Sequence, residues 1–344
     1  GRNSMNHSNA PVLVYRGGYI ESTHQIHIAV MSTQGELVAY YGNPHRLTFA
    51  RSSMKAFQSL PVVESGAMEA YHLTERELAL FCASHIGEPY HRDTVATVLK
   101  KLDLQESYLQ CGTHIPRHQE SYEQLIKKGG KLTPLFSNCS GKHAGMLAGC
   151  KKQGFSLDTY RDVTHPYQQQ IIDAISDMSG YPKEKIATSV DGCGVPVHRL
   201  PLDKVALLFA RLASPGNWQT EGESRQHSLA RIRQAMVDYP EMVAGTNQFD
   251  TDLMRVFKGR LVAKGGAEAV HCFGDKETGL GVAIKVEDGN ARGTRVTAME
   301  VLKQLGIGDE SIRNELEQYV EEAVLNARGE KIGNIMTQFQ LNFL

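Results

Sequence analysis

The chain has 344 residues, with 37 Lys+Arg against 38 Asp+Glu and a formal net charge of −1. This length can bury a substantial core, and an even charge without a basic block excludes the electrostatic footprint of a nucleic-acid binder. No run approaches the roughly eighteen apolar residues of a membrane span, and the N-terminus lacks the charged region and apolar core of a signal peptide. The sequence therefore reads as a cytoplasmic protein with a small-molecule partner.

Gly1 to Ser4 reads as a vector-derived scar ahead of a native Met5, and residues 1–10 as a disordered leader outside the fold. Val12 to Tyr41 alternates and is rich in β-branched and aromatic residues. Thr33-Gln34-Gly35 predicts a turn between strands Ile26–Met31 and Glu36–Tyr41, with Val12–Tyr15 as a third strand. Arg51-Ser52-Ser53-Met54-Lys55 then opens a helical pattern that Pro61 must kink or end.

Ser52 and Lys55 stand three residues apart and share one helix face. A serine hydroxyl near its free pKa is a poor nucleophile, and an amine made neutral by burial can take its proton. The serine also falls at a helix start, whose N–H groups are expected to supply an oxyanion hole. The spacing alone equally suits an exposed helix start with Ser52 as N-cap.

Thr74-Glu75-Arg76-Glu77 is a capping box before the apolar run Leu78 to Ala83, and this helix delivers the chain to Ser84-His85-Ile86-Gly87-Glu88. Helical spacing continues over Pro89–Leu102 and Glu120–Lys128. Asn138-Cys139-Ser140-Gly141-Lys142-His143-Ala144-Gly145-Met146 runs into a small-residue helix that ends near Gly154. Further helices are predicted at Pro166–Met178, Pro201–Ala213, Ser228–Tyr239 and Phe249–Phe257. Asp191-Gly192-Cys193-Gly194-Val195-Pro196 forms a tight loop between the first two of these. After Gly259, Leu261–Glu268 and Gly281–Val286 read as strands around a Gly274–Glu277 turn. Helices Arg295–Leu305 and Asp309–Asn326 follow, and Ile332–Leu344 is ambiguous between strand and coil.

Six cysteines, at 82, 111, 139, 150, 193 and 272, read as reduced thiols or metal ligands rather than a disulfide framework. Cys139 and Lys142 at i,i+3, with Cys193 on its glycine-flanked loop, make a candidate metal site of two soft thiolates and one nitrogen donor. The amine must be neutral to donate, which a metal can impose. Two buried, reduced cysteines beside a solvated lysine fit the same spacing. His85 and His91 fit no standard ligand pair and read as hydrogen-bonding side chains. Lys264-Gly265-Gly266 can carry an ammonium and bare backbone to a nucleophile, or mark a bulge in an edge strand.

The order of strands, Ser-x-x-Lys helix, long helical insert and Lys-Gly-Gly strand resembles the layout of serine β-lactamases and penicillin-binding proteins. Five segments together resemble the bacterial asparaginase II family of the Rhizobium etli type, in family order from about Val12 to the end of the chain. They are Arg51–Lys55, Ser84–Glu88, Asn138–Met146, Asp191–Pro196 and Gly259–Glu268. One departure is that Lys264 is followed by Gly-Gly-Ala-Glu-Ala where the family is expected to carry Gly-Ala-Glu-Gly.

The resemblance implies an α/β (α+β), β-lactamase-like fold as a single catalytic unit over 11–344. An antiparallel sheet from about 11–50 and 259–344 would enclose an all-helical insert over about 51–258. It implies hydrolysis of L-asparagine to L-aspartate and ammonia, two Ser-Lys tandems (Ser52 with Lys55, Ser84 with Lys264), zinc held by Cys139, Lys142 and Cys193, and a homodimer. Substrate binding further needs an anion for the α-ammonium, with Asp191 and Glu88 as candidates, and a cation for the α-carboxylate, with Arg51 as candidate. A glutaminase or another penicillin-recognising type of serine hydrolase shares the fold logic. A zinc-dependent amidohydrolase and a non-enzymatic zinc or redox module are rivals from other classes.

Overall fold

The computed structural model describes residues 6–218 and 223–344. The leader expected over residues 1–10 lies outside the described residues as far as residue 5, and beyond it Asn6 Oδ1 accepts the Ile20 N–H at 3.0 Å. The chain forms two compact units. One comprises Gly1–Thr48, Leu200–Asn217 and Asp252–Leu344, and the other Phe49–Arg199 and Trp218–Thr251. The expected mixed α/β class, with antiparallel strands from both ends of the chain and a helical insert, is what the structure has.

The first unit is built on sheets. A six-stranded sheet runs Asn342–Phe343, Leu37–Tyr41, Ile26–Met31, Gly281–Val286, Val270–Asp275, Leu261–Gly266, every neighbour antiparallel. All six residues of Gly281–Val286 are buried, as a strand covered on both faces requires. Gly281 stands opposite Gly274 in register. A Cβ on Gly281 would lie 2.0 Å from the Ala206 carbonyl oxygen and one on Gly274 2.2 Å from that of Phe209. The main chain of helix Leu202–Ala213 therefore rests directly on the sheet. A four-stranded antiparallel sheet follows the order Glu322–Leu325, Lys331–Thr337, Val12–Arg16, Tyr19–His24.

Two expectations change in this unit. The helix expected over Asp309–Asn326 stops at Val320 and becomes strand Glu322–Leu325, because pairing with Lys331–Thr337 outweighs local helical spacing. The Gly274–Glu277 segment hides a strand, Val270–Asp275, that begins after a turn through Glu268 and Ala269. Those two residues hold φ of 62° and 59° without being glycines, so composition does not mark the turn.

The second unit is mostly helical. The Thr74 hydroxyl accepts the Glu77 N–H at 3.1 Å while the Glu77 carboxylate accepts the Thr74 N–H at 2.8 Å, which starts helix Glu75–Phe81. Pro61 lies in the first turn of helix Leu60–Glu64, where its missing N–H costs nothing. Beside the Asp191–Pro196 loop, the structure has a hairpin of Ala187–Val190 with Pro196–Pro201. All four residues of its first strand are exposed, so no alternating pattern announces it. Among the described residues no helix is long and apolar enough to cross a membrane.

Candidate active site

Arg51–Met54 is a 3-10 turn that runs into helix Lys55–Gln58. Side chains at i and i+3 eclipse in a 3-10 turn, so Ser52 and Lys55 lie along one edge. Arg51 takes a left-handed backbone, φ 52°, a strained state for a residue with a Cβ. Two contacts hold it: the Ala50 N–H donates to the His198 carbonyl at 3.0 Å, and Arg51 Nη2 donates to Asp191 Oδ1 at 2.9 Å. The Ser53 N–H closes on the Ala50 carbonyl, so it is not free to serve the expected oxyanion hole.

Lys55 is fully buried, and burial lowers its pKa against an opposing pull from Cys139. Its Nζ lies 2.5 Å from the Ala83 carbonyl, 2.9 Å from Ser84 Oγ and 3.2 Å from Cys139 Sγ. A neutral amine has two N–H groups and one lone pair. Nζ is placed to donate to all three; in the neutral form, N–H groups given to Ala83 and Cys139 would leave the lone pair for the Ser84 hydroxyl. The structure thus closes Lys55 on Ser84, whereas Ser52 Oγ makes no hydrogen bond among the described residues.

Main-chain bonds place Ser84. Its N–H donates to the Val243 carbonyl at 3.0 Å, and the His85 N–H donates to the Asn138 carbonyl at 3.1 Å. The second bond ties the serine segment to the turn that begins helix Ser140–Gln153. That helix approaches the Ser84 segment through its glycines. A Cβ on Gly141 would lie 2.2 Å from the Leu80 carbonyl oxygen, and one on Gly145 2.8 Å from the Phe81 ring. Gly141 and Gly145, one helical turn apart, let this contact form.

Cys139 caps the same helix, and the helix N-terminus favours its thiolate. Its pKa lies well below the usual thiol range, chiefly through a hydrogen bond from Cys193, with Lys55 and Lys142 adding their charge. Cys193 is pushed up by the same shared proton, followed by burial. Lys142 Nζ donates to Cys193 Sγ at 3.3 Å. Burial opposes the Lys142 ammonium, but Cys139, Cys193 and Asp191 together raise its pKa. Two sulfurs and one amine converge; thiolates suit a zinc-type ion, and the lysine would have to give up its proton to join them. Among the described residues no group of three or more His, Cys, Asp or Glu side chains is arranged to hold a metal ion; this cluster has two, with a lysine as third donor.

The other expected residues are placed as follows. The Glu88 carboxylate caps helix Pro89–Lys101 and accepts the Thr246 hydroxyl at 3.1 Å. Lys264 lies on the edge strand Leu261–Gly266 of the sheet unit, buried, with Nζ donating to the Gly265 carbonyl at 2.6 Å. His85 and His91 act as hydrogen-bonding side chains, to Ser140 Oγ at 2.8 Å and the Glu241 carbonyl at 2.9 Å. Sequence reasoning missed His143 and Tyr160, whose ring nitrogen and hydroxyl meet at 2.6 Å beside the thiol cluster. His143 sits inside a motif that was read for its neighbours, and nothing local marks Tyr160.

Among solved structures, the chain is similar to a β-lactamase from Mycobacterium bovis, at 12% identity over 81% of this chain and 94% of that one, with a TM-score of 0.42. It is also similar to Mglu in its tris and glutamate form, at 14% identity over 90% of this chain and 66% of that one, TM-score 0.38. Native Mglu matches at 13% identity over 83% and 65%, TM-score 0.37. No curated protein sequence matches it. The sequence model of the L-asparaginase II family matches residues 12–337, and the chain, with its Ser-x-x-Lys turn and its cysteine-lysine cluster inside that span, belongs to the L-asparaginase II family.

Proposed function

We propose that this protein hydrolyses L-asparagine to L-aspartate and ammonia through a serine acyl-enzyme. The observation that carries the reading is a buried lysine, its ammonium form disfavoured, in hydrogen-bond reach of Ser84 and one turn from Ser52. Ser52 Oγ attacks the side-chain amide carbon while Lys55 takes its proton. The C–N bond breaks as the departing amine gains a proton through Ser84, releasing ammonia. Water then attacks the ester, and the serine recovers its proton as aspartate leaves. The family motif adds Lys264 to the proton transfer.

Arg51 and Asp191 pair with each other at 2.9 Å, and the pair matches the α-carboxylate and α-ammonium of an amino acid. Substrate exchanges one internal ion pair for two external ones, which favours a zwitterionic ligand over a simple amide. Cys139, Lys142 and Cys193 are the proposed zinc ligands. Bound zinc would supply an electrophilic position for orienting substrate. Assembly as a homodimer in the cytoplasm, and kinship with the Rhizobium etli type, complete the reading as proposals.

A second reading makes Ser84 the nucleophile, favoured by the 2.9 Å contact with Lys55. Ammonia release from L-asparagine, L-glutamine and a chromogenic β-lactam tests the substrate class. Ser52→Ala should lower turnover by at least about a thousandfold. If it keeps a tenth of wild-type activity and Ser84→Ala does not, the nucleophile is Ser84.

A further inference from the structure

Two histidines beside Ser84 have no part in the proposed reaction. His85 and His91 are fully buried and their rings stack, with centroids 4.8 Å apart and planes at 24°. Main-chain amides fix both. The Gly87 N–H donates to His85 Nδ1 at 3.0 Å, and the Glu88 N–H donates to His91 Nδ1 at 3.1 Å. An amide N–H can only donate, so each Nδ1 offers a lone pair and the proton of the neutral ring sits on Nε2. Burial keeps both rings neutral at neutral pH, the His85 pKa well below the usual histidine value and that of His91 at about 4.

Both Nε2 atoms have acceptors. His91 Nε2 lies 2.9 Å from the Glu241 carbonyl, which can only accept. His85 Nε2 lies 2.8 Å from Ser140 Oγ, whose own hydrogen reaches the Leu135 carbonyl at 3.3 Å and leaves the oxygen to accept. The two bonds lead to different parts of the helical unit. Glu241 belongs to the short helix Pro240–Val243, whose last carbonyl accepts the Ser84 N–H at 3.0 Å. Ser140 opens helix Ser140–Gln153, and the Asn138 carbonyl just before it accepts the His85 N–H at 3.1 Å. Ser84 thus stands between two supports, and an imidazole N–H is bonded to each.

We propose that His85 and His91 are positioning residues for Ser84: as a stacked pair of Nε2–H tautomers they clamp its segment between helix Ser140–Gln153 and helix Pro240–Val243, and so hold the Ser84 hydroxyl at Lys55 Nζ. The other tautomer of either ring would set N–H against N–H at Nδ1 and a lone pair against an acceptor at Nε2, so each ring has one state that fits. The catalytic half of the proposal rests on Ser84 serving the proposed reaction.

Long-range proton–nitrogen correlation spectra of the 15N-labelled full chain read both tautomers. Wild-type His85 and His91 are expected to be protonated at Nε2 and bare at Nδ1 at neutral pH. His85→Phe and His91→Phe keep a buried ring and remove both nitrogens, while His85→Gln and His91→Gln return an N–H to the place of Nε2. In proteins with wild-type circular dichroism, each Phe variant is expected to lower kcat for L-asparagine by about a hundredfold with little change in KM. His91→Phe is also expected to speed hydrogen exchange of the Ser84 amide by about tenfold. Each Gln variant is expected to recover most of the lost kcat. A wild-type ring protonated at Nδ1 overturns the proposal, and this holds even if no variant folds. So do folded Phe variants with wild-type kcat and Ser84 exchange, or Gln variants no better than the Phe ones. Failure of the asparaginase reading looks different: the wild type releases no ammonia from L-asparagine, while Ser84 amide exchange still responds to His91, which supports the clamp.

Discussion

Lys55 Nζ and Ser84 Oγ, 29 residues apart in the chain, meet at 2.9 Å in the helical unit, the lysine buried and the serine half-buried. Lys55→Met should therefore lower kcat for L-asparagine by at least about a thousandfold while circular dichroism stays that of the wild type. Lys55→Arg should be no better, because a guanidinium does not give up its proton. An arginine variant above a tenth of wild-type activity would remove Lys55 from the role of base.

Asp191 pairs with Arg51, and the proposed function gives it the α-ammonium of the substrate. Asp191→Asn should raise KM for L-asparagine by roughly 10- to 100-fold, the worth of one charge-assisted hydrogen bond. The analogue lacking the α-amino group should lose little by the same substitution. Equal losses for both compounds would show that Asp191 only supports Arg51.

In the thiol cluster, one proton is shared by Cys139 and Cys193, and Lys142 is held charged. A metal ligand set of two thiolates and a neutral amine must discharge about two protons. Titration calorimetry of zinc into chelator-treated protein, in buffers of different ionisation enthalpy, should count them. Affinity should rise with pH. A titration that releases no proton would exclude Lys142 and Cys193 from the ligand set together.

His91 is buried, its pKa lowered to about 4, first by burial. Its Nδ1 accepts the Glu88 N–H at 3.1 Å, so protonation would also break a helix cap. The unfolded ring titrates near 6.5. Below that pH the unfolded chain binds a proton that the folded chain refuses until about 4. The stabilisation is complete above about 6.5 and declines as pH falls through that window, by a few kcal/mol. Urea unfolding at pH 7, 5.5 and 4.5 should show a shallower decline in His91→Gln than in the wild type. Parallel curves would assign the acid sensitivity elsewhere.

Much of the candidate site is legible because its parts are local. Ser52 with Lys55, and Cys139 with Lys142, are each separated by one turn, and helical geometry alone brings them to one side. The partner that Lys55 chooses is not legible, since the 29-residue return to Ser84 depends on how helix Glu75–Phe81 packs. Tyr160 escapes for the same reason, with Gln110 50 residues away and His143 17. In the fold, elements with strong caps and amphipathic spacing are found where the pattern puts them, as Thr74 shows. Strand Ala187–Val190 is exposed throughout, and the turn at Glu268 and Ala269 uses non-glycine residues in a left-handed state. Neither leaves a compositional trace.

The contact of Gly141 with the Leu80 carbonyl has a consequence for how the site ages and moves. Main chain touches main chain there, so the spacing of helix Ser140–Gln153 from helix Glu75–Phe81 is a backbone dimension. Rotamer changes in the surrounding core leave it unaltered, and warming expands it only when the helices themselves separate. Loss of the catalytic geometry and loss of the helix pair should then be one thermal event.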